Sequence, residues 1–209
     1  MGHFIKKGAV CCAVLVGALT GLPQAQAQVF SDEVKDLIEQ KLAMIREMAK
    51  NPLVIQAAEE SNQKNFGLTL PDILALNAQW VASEESSPFI KPYLLNPCAQ
   101  FLVDFQEKHE EFPEIFITDN RGLNVAQTNR TSDFYQADEK WWVDAYNGGQ
   151  GRSFYGPIEY DESAFSEVIP LYAPIIQPES GKAIGVIKAL CDITAIKMGV
   201  IGDASKYSD

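Results

Sequence analysis

Histidine is almost missing from this sequence, which has only two among 209 residues. Beyond residue 27 the sequence holds one, His109, within the charged stretch at 107–111. Zinc sites commonly use histidine as a ligand, and Ser-His-Asp hydrolases need it as a base. The single histidine beyond residue 27 therefore excludes most metal sites with several histidine ligands and argues against a Ser-His-Asp hydrolase.

Basic residues are also scarce, because 17 lysines and arginines stand against 28 aspartates and glutamates and leave a net charge of −11. No Lys/Arg-rich patch offsets this excess. A surface of that sign is repelled by phosphate backbones and by anionic lipids. We therefore expect no nucleic acid among the partners of this protein.

The apolar run at 8–22 is shorter than the roughly 20 residues that a membrane-spanning helix needs. It follows Lys6 and Lys7 and precedes Ala25 and Ala27. A basic start, a short apolar stretch and an A-x-A ending are typical of a secretory signal peptide. We predict a signal peptide at 1–27, cleaved after Ala27, and a periplasmic or secreted protein. The alternative is an uncleaved membrane anchor.

Two cysteines lie beyond this leader, Cys98 and Cys191. An oxidising export compartment permits them to form a disulfide. Free cysteine is also among the most buried residue types, so both may equally be small core residues. The sequence leaves these two alternatives open.

The rest of the chain reads as a single domain at 28–195 with a C-terminal tail at 196–209. Apolar residues recur at three- and four-residue steps from Ser31, which predicts a long helix with one apolar stripe. Further helices are predicted at 53–61, from a capping box at 69–72, and from Asn96. The helical part thus covers 31–112.

Strand signals follow after Pro113, together with one more helix at 138–146 that ends at a pair of glycines. The predicted strands are 114–118, 123–127, 152–158, 167–176 and 182–193. Helices followed by a meander of strands indicate an α+β fold with a five-stranded antiparallel sheet over 113–193.

Five stretches in this order resemble the extracytoplasmic sensor domains called Cache or PDC domains: FITDNRGLNVAQT, DFYQADEKWWVDAYNGG, FYGPIEYDE, VIPLYAPII and GKAIGVIKALCDI. The resemblance covers about residues 31–193. It implies a PAS-like sheet whose concave face holds a small ligand, such as an amino acid, a carboxylate or an amine. It also implies signal transduction through a membrane receptor or sensor kinase, with no enzymatic activity and no cofactor.

Amino-acid-binding members of this family grip the ligand carboxylate with an arginine just before a tryptophan pair, and the amine with an acid near the third strand and another in the last strand. This sequence is similar at Trp141-Trp142 and Asp161 but has Asp138, Glu139 and Lys140 where the arginine is expected. Near the position in the last strand where those members have the second amine-binding acid, this sequence has Leu190. An α-amino-acid ligand is therefore not what these residues favour.

The same region holds six large aromatic residues within 38 positions and several carboxylates. Aromatic faces combined with carboxylates suit an amine or another cation. Adjacent residues of a helix face about 100° apart, so we expect Trp141 to line the pocket and Trp142 to pack behind it. For each tyrosine, packing is the alternative to ligand contact. The predicted ligand-binding residues are Asp133, Tyr135, Trp141, Trp142, Tyr155, Tyr160, Asp161 and Tyr172.

Two other functions stay open: a structural or interaction domain without a working pocket, and a small hydrolase that uses Glu159 and Asp161. The stretch after Ile193 is short and mixed, so we expect a standalone domain that acts through a partner. The apolar stripe of the first helix either pairs in a homodimer or packs against its own sheet.

Overall fold

The computed structural model describes residues 30–161 and 166–194, without the side chain of Asp161. The predicted signal peptide, its cleavage site and the tail at 196–209 lie outside these residues. Five helices come first: α1 Asp32–Met48, α2 Pro52–Asn65, α3 Leu70–Ala82, α4 Lys91–Leu95 and α5 Pro97–Gln106. Then come β1 Glu114–Asp119, β2 Asn124–Gln127, α6 Lys140–Tyr146, β3 Phe154–Tyr155, β4 Glu159–Asp161, β5 Ser166–Ile176 and β6 Ala183–Asp192.

Polar side chains and prolines start the helices where the sequence predicts them. Thr69 and Asp72 form the predicted capping box at the start of α3. The Oδ1 of Asn51 accepts a hydrogen bond from the Leu53 amide, and the Oδ1 of Asn96 accepts one from the Ala99 amide. These caps satisfy amides that the first turn of a helix leaves without partners.

The sheet is antiparallel, with strand order β2-β1-β6-β5-β3, and β4 also pairs with β5. The α+β class is therefore confirmed, with six strands in place of five. The predicted third strand at 152–158 is shorter in the structure, where β3 ends at Tyr155. The chain is interrupted at 156–158, which includes Pro157, and β4 begins beyond the predicted strand, at Glu159. Proline has no amide hydrogen to donate to β5, which explains the interruption.

The apolar stripe of α1 packs against its own domain. Its buried residues are Ile38, Leu42, Ile45 and Met48. They join the main hydrophobic core together with one face of the sheet, which includes Ile117, Leu171 and Ile187. Of the two alternatives for this stripe, pairing in a homodimer or packing against its own sheet, the structure contains the packing against the sheet.

The other face of the sheet lies beneath α6. Successive residues of a strand point to opposite faces. The neighbours of the core residues therefore face α6, and among them Tyr172 and Val186 pack with Trp142 and Ala145 of that helix. Besides the main core and the cluster beneath α6, a third hydrophobic cluster contains the aromatic residues Trp80 and Phe134 and lies beneath α3 and α4.

Gly185 allows β1 and β6 to approach closely. A Cβ atom at this position would lie 2.1 Å from the carbonyl oxygen of Thr118. Glycine is the residue that has no such atom. In the described part of the chain, no helix combines the length and the hydrophobicity that a membrane crossing requires.

Candidate functional site

The helix α6 places its two tryptophans in different surroundings. Trp142 is 5% exposed, stacks on Tyr146 and donates a hydrogen bond of 2.8 Å from its Nε1 to the Oγ1 of Thr118. A buried indole N–H needs such a partner. The structure therefore gives Trp142 the packing role that the sequence predicts for one member of the pair.

Trp141 is half-buried and covers aromatic residues of the sheet. Its ring stacks on Tyr172 of β5, with 5.1 Å between ring centroids and 12° between the planes. The edge-to-face contact with Phe116 of β1 has a centroid distance of 6.0 Å. Trp141 and Tyr172 thus form a rigid aromatic wall between α6 and the sheet.

This wall borders a hollow of about 240 Å³, which we call the α6 pocket. Three carboxylates line it, from Asp133, Glu139 and Glu159. The remaining lining residues are Ser132, Gln136, Trp141, Tyr172 and Lys188. An adjoining hollow of about 280 Å³ shares Ser132, Asp133, Gln136 and Lys188 with it.

Hydrogen bonds hold one of these carboxylates in place. The Oδ1 of Asp133 accepts from the Nε2 of Gln136 at 2.7 Å and from the Oγ of Ser132 at 3.3 Å. Glu139 and Glu159 are exposed and form the outer part of the pocket. The pocket therefore has one fixed acid inside and two at its mouth.

The negative charge of the pocket affects the pKa of the Tyr172 hydroxyl. Burial raises its pKa above the ordinary value, and the charges of Glu159 and Glu139 raise it further. Tyr172 therefore stays neutral and can donate or accept a hydrogen bond at any physiological pH. Burial is the larger cause of this shift, and the two glutamates act in the same direction.

Lys188 is the pocket residue that the sequence analysis missed. It lies on β6 opposite Phe116 of β1 and Tyr172 of β5. Its Nζ is 5.1 Å from the ring centroid of Trp141 and 5.9 Å from that of Phe116. Alternation along β6 could have found it, because it faces away from the apolar positions Ile187 and Ala189.

The structure brings together three of the predicted site residues, Asp133, Trp141 and Tyr172. Tyr135 packs instead with the aromatic cluster around Trp80. Tyr155 packs against the main core, on the opposite side of the sheet.

Tyr160 is 63% exposed and does not line the α6 pocket. The side chain of Asp161 lies outside the described residues. Its role in ligand binding, or as a hydrolase acid with Glu159, therefore stays a prediction from the sequence.

The two cysteines are free and buried, so the structure contains no disulfide between Cys98 and Cys191. Each lies in the main core among apolar side chains. Of the two alternatives that the sequence leaves open, the structure therefore contains the one in which both cysteines are small hydrophobic core residues.

Larger hollows lie elsewhere on the described surface. One of about 660 Å³ borders α1 and the end of β5, and one of about 320 Å³ lies beside α2 and α5. Size alone does not make a binding site, since specific ligands need a few convergent polar groups on an apolar wall. Among the described hollows, the α6 pocket is the one that combines a stacked aromatic pair with three carboxylates.

No group of three or more potential metal ligands from histidine, cysteine, aspartate and glutamate occurs among the described residues. The carboxylates of the α6 pocket lie beside an aromatic wall, and aromatic faces and carboxylates are both groups that can attract a cation.

No protein-family model and no curated protein sequence matches this chain. Solved structures do match, and sensor domains of chemoreceptors and histidine kinases are among them. They are of the kind that the sequence motifs predict. The order of helices and strands is consistent with the Cache/PDC fold.

One match is the sensory domain of the Campylobacter jejuni chemoreceptor Tlp3 with isoleucine bound, at 14% identity, 81% coverage of this chain, 66% of that chain and a TM-score of 0.38. The sensor domain of the V. cholerae histidine kinase DctB matches at 12% identity, 78% and 60% coverage and a TM-score of 0.38. The E. coli DcuS sensor domain matches at 18% identity, 62% and 92% coverage and a TM-score of 0.37.

The chain spans slightly less than two thirds of the length of the Tlp3 domain that it matches. These superpositions are loose. The function of this chain is therefore inferred from its own residues.

Proposed function

We propose that this protein is an extracytoplasmic sensor domain whose α6 pocket binds a small amine-bearing molecule. The observation that carries the proposal is the stack of Trp141 on Tyr172 in a pocket that Asp133, Glu139 and Glu159 also line. An ammonium group in this pocket is attracted by the aromatic faces and by the carboxylates at once.

The energies involved are sufficient for specific recognition. A desolvated cation–π contact contributes roughly 2 kcal/mol. A hydrogen bond to a charged group contributes roughly 1.5–3 kcal/mol. One contact of each kind accounts for a large part of the about 4–8 kcal/mol that millimolar to micromolar binding requires.

Sensing further requires that the ligand-bound state is read by another protein. We propose a membrane receptor or a sensor kinase as that partner, and an export compartment as the place of action. The predicted leader at 1–27 and the resemblance of the sequence motifs to Cache domains support this part of the proposal.

A thermal-shift screen against amines, amino acids, organic acids and nucleobases tests the proposal. We expect one or more amine-bearing compounds to raise the melting temperature of the wild type and to lose that effect in Trp141→Ala, because the variant lacks the aromatic wall. Tyr160→Ala is the matched control, since it removes an aromatic residue that is 63% exposed and does not line the pocket.

Failure of every compound to stabilise the wild type would favour a structural or interaction domain of the same fold. Equal stabilisation of the wild type and Trp141→Ala would move the binding site away from the α6 pocket.

A further inference from the structure

We propose that Lys188 is a specificity-determining residue of the α6 pocket and that it selects an amine ligand that also carries an anionic group. The inference rests on the proposed function, because it refines the ligand class of the same site. Its basis is the placement of an ammonium group on the aromatic wall itself.

Lys188 lies at the aromatic wall, where it is close to any ligand cation that contacts the same rings. Its Nζ lies over the rings of Trp141 and Phe116, at 5.1 Å and 5.9 Å from their centroids. Its side chain is half-buried between neighbouring strands. The favourable electrostatic region of these rings is therefore already in contact with a cation of the protein.

This ammonium group has no carboxylate partner in the described part of the chain. None of the ion pairs found there within 4.0 Å includes Lys188. Three carboxylates nevertheless line the same pocket. A half-buried ammonium group without a carboxylate partner among the described residues can donate charge-assisted hydrogen bonds to an anionic oxygen of a ligand.

The charges of the pocket disfavour ligands with a single kind of charge. A simple amine on the Trp141 ring meets the like charge of Lys188. A simple carboxylate meets the three acids Asp133, Glu139 and Glu159. A ligand with both groups satisfies both sides, because its anionic end can contact Lys188 while its amine faces the carboxylates.

Matched probes separate these cases. The probes are the common α-amino acids, a series of ω-amino acids, the amines obtained by removing their carboxylates, and the acids obtained by removing their amines. Calorimetric titration measures the affinity of each for the full-length protein. We expect the best dipolar probe to bind the wild type at least tenfold more tightly than its matched amine.

Lys188→Met keeps the length and the apolar stem of the side chain but removes its charge. We expect this variant to lose the tenfold preference, with the matched amine binding as tightly as before or more tightly. Lys188→Arg should keep the preference, since it retains the cation. Lys182→Met is the control, because it removes an exposed lysine that does not line the pocket.

The outcomes distinguish this inference from the proposed function. If the wild type binds amines at least as tightly as their dipolar counterparts, or if Lys188→Met keeps the preference, the role of Lys188 is refuted and the amine-binding pocket survives. If the wild type binds no probe, the proposed function fails with it. The ranking of the wild-type affinities decides the matter even if Lys188→Met does not fold.

Discussion

Trp141 and Trp142 are neighbours in sequence, yet they act in different ways because a helix turns about 100° per residue. Trp141 stacks on Tyr172 beside the carboxylates, and Trp142 is enclosed between α6 and the sheet. Substitutions at the two positions should therefore have separable effects, one on ligand affinity and the other on folding.

Trp142→Phe should destabilise the fold by roughly 2 kcal/mol, because it removes the hydrogen bond to Thr118 and leaves unfilled space under α6. Urea unfolding followed by circular dichroism measures the change. Trp141→Phe is the comparison, since a phenyl ring can still stack on Tyr172 and little stability should be lost. Equal destabilisation by the two substitutions would contradict the assignment of roles.

The thiols of Cys98 and Cys191 should not react with an alkylating reagent at pH 8 in the native protein. Burial raises the pKa of each to about 12, so almost no thiolate is present at that pH. In urea without reductant, both thiols should become reactive, and mass spectrometry should detect two added groups. Absence of both additions in the unfolded, unreduced protein would instead reveal a disulfide.

Residue types alone predicted part of the site. Of the eight predicted ligand-binding residues, the structure places three in the α6 pocket, namely Asp133, Trp141 and Tyr172. Tyr155 has the same chemistry but faces the main core. Alternation along β6 indicates the sheet face of Lys188, but its proximity to Phe116 and Tyr172 depends on strand pairing, which is a property of the folded sheet.

At the scale of elements, the helix starts were predictable because the capping signals are local. Thr69 and Asp72 are three residues apart and serve the same turn. The predicted third strand extends over Pro157, whereas β3 ends at Tyr155 and β4 begins at Glu159, beyond the predicted strand. Proline cannot donate to a neighbouring strand, so Pro157 is the local signal that marks this interruption. The short helix α4 was also missed, because its five residues carry no periodic pattern.

The helix α1 is tied to the segment before β1 by an ion pair, with 2.7 Å between the Nζ of Lys41 and the Oε1 of Glu111. Burial raises the pKa of the Glu111 carboxyl, but the hydrogen bond and charge of Lys41, with smaller effects of its own backbone amide and His109, outweigh it. The net pKa lies below the ordinary 4.5. Deprotonated Glu111 therefore stabilises the folded state.

This contribution should be fully present above about pH 4.5 and should disappear as the pH falls through the lowered pKa of the folded protein. Lys41→Met should lower the free energy of unfolding at pH 7 by about 1 kcal/mol. It should also reduce the loss of stability on acidification below pH 4.5. Urea unfolding over a pH series measures both effects.

Lys50→Met is the control for this prediction, because Lys50 pairs with Glu47 where both side chains are at least 70% exposed. It should leave the pH dependence of stability unchanged. An identical acid dependence in the wild type and Lys41→Met would show that the Lys41 pair does not set it.

At the scale of the whole molecule, the two faces of the sheet have different tasks. One face packs with α1, α2 and α5 in the main core. The other carries α6 and the pocket beside it. A ligand that enters the pocket therefore contacts the sheet and α6 without opening the main core, and a change in the position of α6 is the simplest signal that a partner protein could read.

The central claim is that the α6 pocket binds an amine through its aromatic wall. Equilibrium dialysis of the purified protein against a metabolite extract, followed by mass spectrometry of the retained compounds, tests it most directly. We predict that the wild type enriches one or more amine-bearing compounds and that Trp141→Ala does not. Retention of the same compounds by both proteins, or enrichment of compounds without an amine, would contradict the claim.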